Sequence, residues 1–355
     1  MKLPYSIVAA LLLTLFTGCK QDFDITSDYK EIPVVYGLLN QQDNVHYIRI
    51  QKGYLIDGDA RVAAGVADSI YYPDTLTVKL IPYFNGSPSG TAFTLNRVDG
   101  DALGLPKASG AFANSPNILY RFTGALDEAK TYRLEVTNKS NGYKFKSKKN
   151  EDSVDITLVK DFQINSPFKA GVAIGLQSEP SAFKVVWRGA ENSGVYDLTV
   201  RFHYLEFKQS DNSFYRDTFV DIPFLRSYIP SSTTSDLYTV ALTSDLVLGY
   251  LANNVKSDIE VIRQFNVLKG MQFRFAAGGS ELRKFMESQQ AQGGLASNEA
   301  LPTYSNIDGG VGLLSSRYLK QIDSVLLKPE GIDSLACSSI TRSLKFKNRN
   351  GNLCQ

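Results

Sequence analysis

Histidine, cysteine, methionine and tryptophan are scarce in this chain: two, three, three and one among 355 residues. The two histidines, His46 and His203, leave little material for an imidazole-based metal centre or triad. Neither has a serine or cysteine beside it in a nucleophile-elbow setting. Both read as structural strand residues, since a histidine in a strand is commonly half-buried and amphipathic. Two cysteines near the C-terminus without a neighbouring histidine do not complete a zinc set, which takes four protein ligands or three plus water. The acidic pair Asp57 and Asp59 around Gly58 is too short for a calcium loop. No metal and no cofactor is therefore expected. Neither sign of charge dominates, the formal net charge being +2, so nucleic acid is not called for as a partner. A single tryptophan, Trp187 in a strand-like stretch, also argues against a stacked-ring glycan platform.

Long apolar runs are equally rare. One occurs, over residues 7–16, preceded by Lys2 and followed by the small residues Thr17 and Gly18. It is too short to span a bilayer as a stable helix. Cys19 comes next, and the sequence then turns abruptly polar. This pattern resembles a bacterial lipoprotein signal, in which the thiol is lipidated and residues 1–18 are removed. Acyl chains contribute about 0.8 kcal/mol per buried methylene, so several on one cysteine hold a soluble body to a membrane. Lys20, Gln21, Asp22, Phe23 and Asp24 resemble the surface-export signal of Bacteroidota lipoproteins, which implies an outer-membrane, cell-surface address. Residues 19–31 have no apolar period and read as a flexible tether.

What is abundant is the aromatic ring. Nineteen tyrosines and twenty phenylalanines suit sheet faces better than long helices. Val34, Val35, Tyr36, Leu38 and Leu39 make an apolar strand, Asn40 to Asn44 a turn, and His46, Ile48 and Ile50 share one face of the next strand. Leu76, Val78 and Leu80 alternate with polar residues, as do Tyr132, Leu134 and Val136 before an Asn141-Gly142 turn. This last hairpin resembles that of an immunoglobulin-like sandwich, where a tyrosine hydrogen-bonds back across the corner. Residues 32–150 are thus expected to form an immunoglobulin-like β-sandwich, with Lys144, Lys146, Lys148 and Lys149 protecting its edge.

Residues 151–355 are expected to form a larger antiparallel β domain with two short helices. Its clearest strand alternates Tyr196, Leu198, Val200, Phe202 and Tyr204 with polar partners. Phe183, Val185 and Trp187 before it, and Phe214, Phe219, Val220 and Ile222 after it, suggest a meander. Helices are predicted from Ser244 to Asn253 and from Ser280 to Gln290, with Ser280 suited to the N-cap. The fold class is mainly β. Cys337 and Cys354 are the thiols left after lipidation, and an exported chain meets an oxidising compartment. A disulfide between them would add about 3 kcal/mol in the chain-entropy model; whether they meet is decided by tertiary structure.

Two stretches carry a resemblance. One runs from Pro33 through Val34, Val35, Tyr36, Gly37, Leu38 and Leu39 into His46, Tyr47, Ile48, Arg49 and Ile50. The other runs from Tyr304 through Ser305, Asn306, Ile307, Asp308, Gly309, Gly310, Val311 and Gly312 to Leu313, Leu314, Ser315, Ser316 and Arg317. With the Cys19 signal, they resemble an uncharacterised outer-membrane lipoprotein family of Bacteroidota, a domain of unknown function often encoded beside TonB-dependent receptors. The resemblance implies a β-rich lipoprotein without established catalytic residues. It points to a non-catalytic accessory or ligand-binding subunit of a TonB-dependent uptake system, with such a receptor as partner. An adhesion or envelope-structural role and a hydrolase in the second half are the rival readings. Tyr304, Asn306, Asp308, Gly309, Gly310 and Gly312 are the candidate loop. Its glycines permit positive φ and close backbone approach, so it either grips a ligand through its amides or packs as a tight turn against the sheet. Lacking a following helix and a Lys-Ser/Thr signature, it reads more simply as the turn.

Overall fold

Alternating side chains of β1 (Pro33–Leu39) and β2 (Val45–Lys52) set Val35 opposite Ile50 and Gly37 opposite Ile48, the hairpin turning where Asn40 accepts the amide of Asp43. In this computed structural model, residues 32–53, 60–147, 155–165, 169–230, 237–292 and 304–354 are described. Cys19, the tether and Lys148 and Lys149 lie outside them. Two short helices, α1 (Ala60–Ala64) and α2 (Ala67–Ile70), lead to β3 (Leu76–Phe84), β4 (Ser87–Pro88), β5 (Phe93–Asp99), β6 (Ile118–Thr123), β7 (Thr131–Asn138) and β8 (Lys144–Lys146). Beyond them come β9 (Ile156–Thr157), β10 (Ala173–Ile174), β11 (Phe183–Arg188), β12 (Ser193–Lys208), β13 (Phe214–Tyr228) and β14 (Leu237–Leu242). The chain closes with α3 (Ser244–Asn254), β15 (Val261–Phe265), β16 (Met271–Gly279), α4 (Ser280–Gln292), β17 (Val311–Leu327) and α5 (Pro329–Cys337).

The protein is mainly β. Its large sheet runs β13-β12-β16-β17-β1-β2-β6-β5-β3-β7-β8, antiparallel along this path except where β17 meets β1; β10 also lies parallel to the end of β17. In the first half β5 changes partners along its length, pairing β3 from Phe93 to Leu95 and β6 from Asn96 to Asp99. The two ladders it links fold over one core, with Val35, Ile48 and Phe122 on one side and Val78, Leu134 and Phe145 on the other. Tyr132, 1% exposed, bonds its hydroxyl to both the amide and the carbonyl of Asp127, forming the expected corner. This strand order does not establish an immunoglobulin-like topology for residues 32–150, because β1, paired with β2 on one side, pairs on the other with β17, from the far end of the chain. Ile307 and Leu314 also belong to the first core.

The second core gathers the buried face of β12 with β16, β11, β14 and α3. Tyr196, Leu198, Val200, Phe202 and Tyr204 are buried, as their alternation predicts. The expected meander is only partly present: β12 pairs β13, but β11 pairs β14 in a separate two-stranded ladder. Trp187 on β11 packs edge-on against Tyr196 of β12 and near Phe275 of β16, so β11 stacks over the large sheet instead of joining its edge. Both predicted helices are present, and Thr243 caps α3 by accepting from the Leu246 amide. A third helix of this half, α5, was not expected; Pro329 at its first turn suits a helix start.

Candidate functional site

The glycine-rich loop that the sequence singles out is a joint between distant strands. A Cβ on Gly312, whose φ is +120°, would lie 2.0 Å from the Val35 carbonyl oxygen, and one on Gly310 would lie 2.7 Å from that of Pro33. The absent side chains are therefore what let β17 approach β1. Asp308 exchanges backbone hydrogen bonds with Lys146 of β8, and the Tyr143 hydroxyl donates to the Gly309 carbonyl at 2.7 Å. Asn306, buried, donates to the Leu314 carbonyl and accepts its amide, closing the loop upon itself. Tyr304 donates to the Glu281 carboxylate on α4; burial and that carboxylate push the phenol well above its ordinary range. The loop's polar groups are thus engaged within the protein. Ser315 and Ser316 continue the joint, the first accepting the Leu282 amide of α4, the second donating to the Thr157 carbonyl.

Cys337 and Cys354 are bonded to each other, with Cα atoms 5.2 Å apart. His46 is buried, stacked on Phe122 at 4.5 Å, with Nε2 3.1 Å from the Gly124 carbonyl; burial lowers its pKa. His203 is half-buried opposite Phe219, its pKa lowered by burial and by Lys269. Both serve packing. Asp221 is held below the usual carboxylate range by Arg201 and Arg274, in a cross-strand ion cluster on β12, β13 and β16.

The side chains best placed to meet a ligand line the outer face of β1, β2 and β17. Leu313, Tyr36 and Arg49 stand side by side across the three strands, opposite in facing to the core residues Val35, Ile48 and Leu314. Helix α4 closes one side of this face, with Phe285 edge-on to Tyr36 at 6.4 Å between ring centres. The loop over residues 105–113 closes the other, carrying Lys107 and Phe112. The resulting groove encloses about 560 Å³, within the range of small-molecule sites. Arg49, Lys107 and Arg317 line it, and among the described residues no carboxylate does. Arg49 donates from Nη2 to Asn117 Oδ1 at 2.8 Å, while Lys107 donates to the Ala113 carbonyl and lies 5.2 Å over the Phe112 ring. Burial and the nearby Arg49 charge lower the Lys107 pKa. Asp99 and Asp101 are turned to the Asn117 backbone amide, behind the groove.

No family model and no curated protein matches this chain.

The alternation of β2 is a signal for part of this groove, since Tyr47, Arg49 and Gln51 must face away from His46, Ile48 and Ile50. Lys107, Phe112, Leu282 and Arg317 carry no such signal. Their meeting depends on β17 pairing with β1 and on α4 folding back over both.

Proposed function

We propose that this chain is an outer-membrane, cell-surface lipoprotein anchored through Cys19, acting as a non-catalytic accessory or ligand-binding subunit of a TonB-dependent uptake system. The observation that carries binding is the groove, where three cations and several rings line one concave face with no carboxylate among the described lining residues. Such a lining holds a ligand by charge and contact. The address rests on the Cys19 signal, and the receptor on the family resemblance. Tethering raises the local concentration of the body beside a membrane partner, so that even a weak contact persists.

The address is tested by mass spectrometry of protein extracted from membranes. An acylated N-terminal peptide beginning at Cys19 is expected, together with release of a Cys19→Ala variant into the soluble fraction; an intact leader or an unacylated start refutes the anchor. Affinity purification in mild detergent tests the partner. A β-barrel receptor is expected to co-purify, and repeated isolation of the lipoprotein alone refutes the uptake role.

A further inference from the structure

The groove does not end at its cationic chamber. Leu38, Leu282 and Arg317 are shared with a second depression of about 160 Å³ that runs beneath α4 between Ala276, Ala277, Gly278 and Met286. Gly278 lets the helix sit close: a Cβ there would lie 2.6 Å from Leu282 Cδ2. One end of the trough is therefore cationic and the other apolar. The one acidic side chain among the described residues lining the slot, Asp197, already accepts the Ser227 amide at 2.6 Å.

At the cationic end the donors are incompletely used. The Nε atoms of Arg49 and Arg317 are shielded from solvent and have no hydrogen-bond partner among the described residues. Three positive charges line the chamber with no carboxylate among its described lining residues, and an anion answers that unbalanced charge. Phe112 is 49% exposed and Tyr36 44%, so ring surface lies open beside those cations.

We propose that chamber and slot together bind one small anionic amphiphile, its carboxylate, sulfonate or phosphate head among Arg49, Lys107 and Arg317 and its apolar part against Phe112, Tyr36 and the slot under α4. This rests on reading the protein as a ligand-binding subunit, and it names that ligand's chemistry. The volumes suit a free small molecule, not a lipid held in a bilayer.

Calorimetric titration of the full chain in a non-ionic detergent with 1-naphthyl phosphate tests the proposal. Inorganic phosphate, which has the charge without the apolar part, and 1-naphthol, which has the ring without the charge, are the comparisons. Saturable one-to-one binding of 1-naphthyl phosphate is expected, at least about tenfold tighter than either comparison. Arg317→Gln should weaken it about tenfold or more, the loss of a charge-assisted contact, and Phe112→Ala several-fold. Arg349→Gln, at the Asp333 ion pair on the C-terminal segment, should leave it unchanged. Circular dichroism reports whether each variant is folded, and Lys107→Gln on the 105–113 loop serves if Arg317→Gln is not. Absence of saturable binding, undiminished binding in folded Arg317→Gln or Lys107→Gln, or binding only to vesicles containing phosphatidylglycerol overturns the proposal. If the titration fails while the acylated protein still co-purifies with a receptor, the ligand class is wrong and the subunit reading survives; if binding is seen without acylation or receptor, the reverse holds.

Discussion

Glu206 sits where the period of β12 calls for the next core side chain after Phe202 and Tyr204, and it is 1% exposed. Its carboxylate accepts from Nε of Arg263 at 2.9 Å and from Nε of Arg216 at 2.5 Å. Arg263 is buried too, and its remaining nitrogens donate to the carbonyls of Leu344 and Lys256 at 2.8 Å. The guanidinium thus fastens the C-terminal segment to β12 and β15. Glu206→Leu removes the counter-charge and leaves Arg263 unbalanced in the interior. The expected loss is about 3–5 kcal/mol, read as a lower urea midpoint. His46 supplies a pH dependence. Its pKa is lowered in the fold by burial, so the unfolded chain takes up a proton near 6.5 while the folded protein resists until lower pH. The unfolded state then binds more protons across that interval, and stability falls as pH drops from about 6.5 toward the folded value. Above that window the contribution is complete. Urea midpoints on either side of it are expected to differ, and His46→Gln to narrow the difference, with His203 supplying the remainder in the same direction.

Among the elements, α5 and the segment after it are joined by the Cys337–Cys354 bridge, which spans a sequence separation of 17. The segment is held at three kinds of contact. Phe346 is fully buried and edge-on to Phe202 and Tyr204, Arg263 bridges it by backbone hydrogen bonds, and the disulfide closes the loop. Opening the bridge removes a constraint on the unfolded chain of about 3 kcal/mol in the entropy model. Because Phe346 and Arg263 remain, Cys337→Ser with Cys354→Ser is expected to lower stability by about 2–3 kcal/mol without releasing the segment. Hydrogen exchange of residues 344–347 checks retention, and denaturant titration the loss. At the opposite edge, β8 is short and lysine-bearing, and its outer side is occupied by the backbone bridge from Lys146 to Asp308. Both are recognised ways to keep a sheet edge from pairing with another chain.

For the whole molecule, β17 is the decisive element. Its first residues lie parallel to β1, its later ones antiparallel to β16, and its last two beside β10. One strand therefore belongs to both halves of the large sheet, and the first core is completed by Ile307 and Leu314 from near the end of the chain. A fragment of residues 32–150 lacks these groups and exposes the edge of β1. It is expected not to unfold cooperatively, seen as poor amide dispersion by NMR and as an absent calorimetric transition. A well-dispersed spectrum from that fragment would contradict the shared-strand account.

Local pattern accounts for what was legible. The hairpin β1–β2, the face of β12, the corner at Tyr132 and helices α3 and α4 follow from periods of two or 3.6 residues, which neighbouring residues alone establish. Partner choice is not local. β11 pairs β14 across some fifty residues, and β1 pairs β17 across nearly the entire chain; both depend on which apolar faces are left to cover once other strands have paired. The candidate site divides in the same way. Glycines at 309, 310 and 312 marked a place where backbones approach closely, and they do, but what approaches is β1 and β8. The cations of the groove, at positions 49, 107 and 317, had no common signature.

By itself the sequence determined the β class and the buried face of each well-alternating strand, because each is written in adjacent residues. Tertiary structure alone decided that β17 stitches the two halves together, that Cys337 meets Cys354, and that an arginine from β2, a lysine from a loop and an arginine from β17 line one trough. Those outcomes depend on contacts between segments far apart in the chain, and such contacts exist only once the sheet has closed.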